Sequence, residues 1–216
     1  MKPLSECLLY SFVDTAYLRD REPSDIARQL CDGGSDLIQL RAKNSQPGEI
    51  RVWAESMVSI LAQAGVGLVI NDHLELAREV GADFCHLGQE DFFDAGHTHV
   101  DELKIPGDRL KIGLSTHAPA QAERARKAGA DYLAIGPVFH TGTKPAAQPV
   151  TLEYVRWAAA NVATPWFAIG GITLENVDAV LAAGAKRICV VSAILNAPDV
   201  VKACQEFRNR LISARF

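Results

Sequence analysis

The polar residues of this chain that could do chemistry fall in short, regularly placed clusters. Gln39, Arg41 and Lys43 alternate in Gln-Leu-Arg-Ala-Lys. In extended backbone that spacing turns all three side chains to one side, setting an amide beside two cations. A guanidinium next to an ammonium suits the oxygens of a di- or triphosphate. Asn71-Asp72-His73 and His86-Leu-Gly-Gln89-Glu90-Asp91 follow. Mg²⁺ is usually held by one or two carboxylates plus substrate phosphates, so Asp72 and Asp91 are candidate metal ligands. Asp72 also fits the cap of a helix beginning at residue 73. Gly113-Leu-Ser115-Thr116-His117 adds hydroxyls and an imidazole, and residues 136–144 offer Thr141, Gly142, Thr143 and Lys144 to wrap phosphate oxygens. That loop has no G-x-x-x-x-G-K-[ST] and is not a P-loop. Gly170-Gly171 and Val191-Ser192 could bring backbone amides to a second phosphate. Two anion sites, one with a metal, imply two phosphorylated ligands.

The elements that must position these clusters can be read from the apolar pattern. Short β-rich runs occur at 8–13, 37–40, 67–70, 84–87, 110–114, 132–135, 166–169 and 187–191. Several are apolar at successive positions, as strands covered on both faces of a parallel sheet are. Helical composition and period mark 50–64, 119–128, 152–160 and 174–183. The last segment places Val200, Cys204, Phe207 and Leu211 on one helix face. Strict alternation of eight strands and about eight helices predicts an α/β protein.

One phrase recurs four times, as Gly34-Ser-Asp-Leu-Ile, Gly81-Ala-Asp-Phe-Cys, Gly129-Ala-Asp-Tyr-Leu and Gly184-Ala-Lys-Arg-Ile. Each closes a helix on Gly and opens the second, fourth, sixth or eighth strand. A repeat of two βα units, four times over, predicts a single (β/α)₈ TIM barrel over residues 1–216. A flavodoxin-like or Rossmann sheet is the other arrangement, but no G-x-G-x-x-G follows the first strand. In a barrel, all the clusters above sit past the C-terminal ends of strands, at one mouth.

Composition narrows the classes of function. The chain has 216 residues, with 22 Lys+Arg against 26 Asp+Glu and a net charge of −4. No basic surplus exists to draw nucleic acid or an anionic membrane, and no apolar run approaches the roughly 18 residues of a membrane span. The start of the chain has no secretory pattern. The five cysteines are scattered without a C-x-x-C pair, which favours buried free thiols in a reducing, cytoplasmic setting. His97-Thr-His99 lacks a third ligand in phase; His86 is read as a structural hydrogen-bonder, and His117 as that or a site residue. Trp53, Trp157 and Trp166 are read as packing. Barrel helices can pair through several faces, leaving a homo-oligomer possible but its form unspecified.

With those residues in hand, the chain resembles the thiamine-phosphate synthase family from the second strand to the eighth. The resemblance lies in Gln39-Leu-Arg-Ala-Lys43, Asn71-Asp72, His86-Leu-Gly-Gln-Glu-Asp91, Gly113-Leu-Ser-Thr-His117, Gly136-Pro-Val-Phe139, Thr141-Gly-Thr-Lys144, Gly170-Gly-Ile172 and Val191-Ser192. It implies a transferase of thiamine biosynthesis that joins hydroxymethylpyrimidine diphosphate to thiazole phosphate, releasing pyrophosphate, with Mg²⁺ as cofactor. By the same resemblance Gln39, Arg41, Lys43, Asn71 and Lys144 would hold the pyrimidine diphosphate, and Asp72 and Asp91 the metal. Ser115 would lie by the pyrimidine; Thr141, Thr143, Gly171, Val191 and Ser192 would hold the thiazole phosphate. Arg41, Lys43, Ser115 and Lys144 form the implied catalytic set. His73 stands where the family usually has Arg, and Thr151 precedes Leu152 where Gly is usual. A thiazole tautomerase-like relative using His117 and a non-catalytic thiamine-phosphate-binding protein are the alternatives.

Overall fold

The computed structural model describes residues 1–142 and 148–214; Thr143 and Lys144 therefore lie outside the described residues. Eight parallel strands close into a barrel in sequence order. They are β1 (Leu9–Asp14), β2 (Leu37–Arg41), β3 (Gly67–Asn71), β4 (Phe84–Leu87), β5 (Lys111–Thr116), β6 (Tyr132–Ile135), β7 (Trp166–Ile169) and β8 (Ile188–Val190). The helices are α1 (Pro23–Asp32), α2 (Pro47–Ala64), α3 (Leu74–Glu79), α4 (Gln89–Asp94), α5 (Pro119–Lys127), α6 (Thr151–Asn161), α7 (Val177–Ala182), α8 (Ser192–Leu195) and α9 (Val200–Ser213). Pairing of Leu9 with Ile188 and of Tyr10 with Leu37 seals β1 against both β8 and β2. This is the TIM barrel that the alternation and the repeat predict. No helix among the described residues is long and apolar enough to cross a membrane.

The repeated phrase has a physical role at the N-terminal end of the barrel. All four of its glycines take the left-handed conformation that ends a helix, with φ between 68° and 101°. The Asp two residues later reaches sideways to the start of the preceding strand. Asp36 Oδ2 accepts from Leu8 N (2.6 Å) and Leu9 N (3.1 Å), Asp83 Oδ2 from Leu68 N (3.0 Å), and Asp131 Oδ2 from Ile112 N (2.8 Å). Backbone donors at the end of a buried ladder must find partners, and these carboxylates supply them. The fourth unit carries Lys186 in that place.

Side chains fill the barrel beneath its mouth. Tyr10, Phe84, Tyr132 and Phe167 come from four different strands and meet edge to face, with ring centroids 5.3–6.0 Å apart. Gly113 makes room for one of them: a Cβ there would collide with the Tyr132 ring. Outside, Val200, Cys204, Phe207 and Leu211 of α9 are buried, as their spacing predicts. Two helix starts differ from the sequence reading by three residues. α2 begins three residues early, because Pro47 occupies the first turn and Gln46 and Glu49 form a capping box. α7 begins three residues late, because Asn176 Oδ1 accepts from Thr173 N and holds that stretch as a turn.

Candidate active site

The strand ends open into one cavity enclosing about 940 Å³ of empty space including its mouth. Of the residues singled out in the sequence, Gln39, Arg41, Lys43, Asn71, Asp72, Asp91, Ser115, Thr141, Gly171, Val191 and Ser192 all line it. Thr143 and Lys144 are the two outside the described residues.

Polar side chains of β2 to β4 form one wall. Arg41 is anchored from β1: its Nη1 donates to Asp14 Oδ2 at 2.7 Å, and the two residues face each other in the strand register. Asp14 is 1% exposed, so the pair is almost wholly removed from water. Such a carboxylate aims the guanidinium and compensates a charge that burial alone would not tolerate. Asp14 was not among the candidates from sequence, where it looks like the polar end of an apolar strand. Its other oxygen, Oδ1, accepts from Ala16 N at 3.0 Å and caps the 3₁₀ turn Thr15–Tyr17, while the register opposite Arg41 gives it its role at the site.

Asp72 does not cap the following helix. His73 is the residue preceding α3, and no side-chain cap is made there. Asp72 instead adopts φ 64°, a left-handed conformation that Asp tolerates better than most residues. Its amide donates to His86 O at 2.9 Å, and its Oδ2 accepts from Asn71 Nδ2 at 2.6 Å. Strain of this kind, held by a neighbouring strand, is characteristic of functional positions. Asp91 lies in the first turn of α4, with its carboxylate packed so closely on Gly88 that a Cβ there would strike Asp91 Oδ2. The donors offered by this wall are hard oxygens, the chemistry Mg²⁺ requires. Among the described residues no cluster of three or more His, Cys, Asp or Glu could hold a metal by itself. Two carboxylates suit an ion whose remaining ligands are substrate oxygens and water.

The opposite wall is backbone-rich. Gly170 and Gly171 are glycine first because the chain itself packs there: a Cβ on Gly170 would collide with Pro137, and one on Gly171 with the His140 carbonyl. Val138 N donates to Ile169 O and Phe139 N to Gly170 O, and Asn176 Nδ2 donates to Gly171 O. Asn176 is thus a second positioning residue that sequence reasoning passed over. Val191 and Ser192 line this wall where β8 passes into α8.

Between the walls sits Ser115, 8% exposed, whose buried Oγ has no hydrogen-bond partner among the described residues. A buried hydroxyl left unpaired costs roughly 1–3 kcal/mol and is kept only where something else uses it. Phe12, Ala134, Ile169 and Cys189 make the floor around it apolar. His117 lines the cavity too, with its Nδ1 against the Gly136 carbonyl and its Nε2 4.0 Å from Glu90 Oε1. His97 and His99 lie apart from the cavity. His97 meets Glu102, and His99 Nδ1 accepts from Asp101 N to cap a 3₁₀ turn at Val100–Leu103.

Comparison with known proteins agrees with this geometry. The family model described as thiamine monophosphate synthase matches residues 9–194. A thiamine-phosphate synthase of Thermus thermophilus is 45% identical over 188 residues, covering 87% of this chain and 88% of that protein. The Halalkalibacterium halodurans protein of the same name is 39% identical over 200 residues, covering 92% of each. Among solved structures, thiamine phosphate pyrophosphorylase from Pyrococcus furiosus superposes with a TM-score of 0.85 at 30% identity, covering 98% of both chains. On these grounds the chain belongs to the thiamine monophosphate synthase family.

Proposed function

We propose that this cavity joins hydroxymethylpyrimidine diphosphate to thiazole phosphate, giving thiamine monophosphate and pyrophosphate. The observation that carries the reading is the division of one cavity. Cations and carboxylates at and just past the ends of β2–β4 line one wall, glycine backbone and Ser192 line the other, and between them lies a Ser115 hydroxyl with no partner among the described residues. The Thermus and Halalkalibacterium relatives carry the name of that activity.

Arg41 and Lys43, with Lys144, hold the diphosphate and take up the negative charge that grows as it leaves. Asp14 fixes the direction from which the guanidinium approaches. Asp72 and Asp91 would hold Mg²⁺, which supplies further neutralisation of the leaving pyrophosphate. Gln39 and Asn71 bind the same substrate from the floor and the rim. Thr141, Thr143, Gly171, Val191 and Ser192 hold the thiazole phosphate so that its ring nitrogen faces the pyrimidine methylene.

The C–O bond to pyrophosphate breaks, and the electron-rich aminopyrimidine stabilises the methylene cation. The nitrogen lone pair of the thiazole then forms the new C–N bond. That nitrogen carries no proton, so no general base is required. Water would capture the cation, and the apolar floor of Phe12, Ala134, Ile169 and Cys189 keeps it away. All five cysteines are free thiols, which supports action in a reducing, cytoplasmic compartment.

The test is incubation with both substrates and Mg²⁺, followed by oxidation of product to fluorescent thiochrome. Product that needs both substrates and disappears with EDTA is expected. No product with both substrates recovered intact overturns the reading and turns attention to thiazole isomerisation at His117.

A further inference from the structure

A chain of hydrogen bonds runs beneath the cavity floor, from Gln39 on one side to His86 on the other. Gln39 Nε2 donates to the Tyr10 hydroxyl at 2.5 Å. The Tyr10 and Tyr132 hydroxyls are 3.1 Å apart, and the Tyr132 hydroxyl is 3.0 Å from His86 Nδ1. Gln39 and His86 line the cavity, whereas the tyrosines are fully enclosed below it. Burial holds both phenols well above their usual pKa, so each keeps its one proton.

One proton per hydroxyl gives the chain a direction. With Gln39 as donor, Tyr10 must donate to Tyr132, and Tyr132 to His86 Nδ1. A neutral His86 then carries its ring proton on Nε2. The Gln39 amide, with its nitrogen turned down to Tyr10, offers its carbonyl oxygen to the ligand. The reverse order also satisfies both hydroxyls, but it requires the amide to turn over and offer NH₂ instead.

Resting on the reaction proposed above, we infer that Tyr10 and Tyr132 are positioning residues that set substrate specificity. They lock Gln39 with its oxygen toward the pyrimidine, so the site accepts a ring bearing an exocyclic amino donor and rejects one bearing an exocyclic oxygen. The ring cage around Tyr132, including its contact with Gly113, keeps the hydroxyl from relocating. A mismatched acceptor would face a buried acceptor, the kind of mismatch that discriminates strongly.

Tyr10→Phe retains the ring and removes the link. For wild type and variant, kcat/KM is measured with the aminopyrimidine diphosphate and with its 4-oxo analogue. The variant is expected to lose at least about tenfold of the amino-over-oxo ratio, with KM for thiazole phosphate unchanged. Equal losses on both pyrimidines would mark a purely structural role and overturn the inference. Independently of activity, ¹⁵N-histidine NMR, with the His86 signal assigned through His86→Gln, should show the Nε2–H tautomer in wild type. Tyr132→Phe should weaken that preference. An Nδ1–H tautomer in wild type would overturn the direction of the chain. If wild type makes no product, the reaction assignment fails, while the tautomer measurement still decides the direction.

Discussion

Replacing Ser115 by Ala should make the protein more stable and less active at once. The Ser115 Oγ is buried, has no partner among the described residues and borders a cavity that already exists. Its removal therefore relieves an unsatisfied donor without creating a new enclosed void. An unpaired buried hydroxyl costs roughly 1–3 kcal/mol; taking the low end, Ala returns about 1 kcal/mol. For a chain of this size that raises Tm by about 2–4 °C. A hydrogen bond that Ser115 makes only to ligand is worth about 1 kcal/mol if neutral and about 3 kcal/mol if it meets developing charge. Converted to rate, kcat/KM should fall between about 5-fold and 150-fold. Scanning calorimetry gives the first number and the thiochrome assay the second. A Tm that falls, or a kcat/KM within about twofold of wild type, would refute the reasoning that this hydroxyl is held in reserve for a ligand.

Other expected outcomes follow from the same geometry. Asp91→Asn should abolish magnesium-dependent turnover while leaving far-UV circular dichroism and Tm near wild type; normal activity would remove Asp91 from the metal site. Asp14→Asn deprives the buried Arg41 of its counterion and should destabilise by about 3 kcal/mol, lowering Tm by about 6–12 °C. Pyrophosphate, by replacing the lost anion, should raise Tm more in this variant than in wild type, and an equal or smaller rise would contradict the pairing. Burial pushes the Cys85 thiol up to about 12 from 9.0, with the Asp72 charge adding to the shift, and it also raises Cys189. The folded state thus holds these protons after the unfolded chain has lost them. For Cys85 stability is full below about pH 9 and is lost as pH rises from 9 towards 12, by about 1 kcal/mol at pH 10, and Cys189 acts in the same direction. Urea titrations at about pH 8 and pH 10 check the sign, and a midpoint independent of pH would contradict it.

How much of this was legible in the sequence depended on the range of the interaction. The strands are local apolar runs, and β2, β3, β4, β6 and β7 begin where the runs predict. The Gly-x-Asp phrase marked the fourfold unit, although the sidelong reach of Asp36, Asp83 and Asp131 to the preceding strand required the register. Gln39, Arg41, Lys43, Asn71, Asp72, Asp91 and Ser115 could be nominated because alternation at a strand end is also local. Hidden were the partners that meet only after the barrel closes. Asp14 acquires its meaning from lying opposite Arg41, and Tyr10 and Tyr132 are 122 residues apart. In a linear reading both tyrosines look like ordinary packing in apolar strands. Asp72 is hidden differently: its left-handed backbone is held by the His86 carbonyl of the adjacent strand, so the sequence alone leaves the capping alternative open.

Two anion sites facing each other in one barrel mouth are what the proposed reaction requires above all. A crystal structure with Mg²⁺, pyrophosphate and thiazole phosphate tests that most directly. Pyrophosphate is expected against Arg41 and Lys43, the ion between it and the carboxylates of Asp72 and Asp91, and the thiazole phosphate at Gly171 and Ser192. Pyrophosphate bound at the glycine wall, or an ion that touches neither Asp72 nor Asp91, would contradict it.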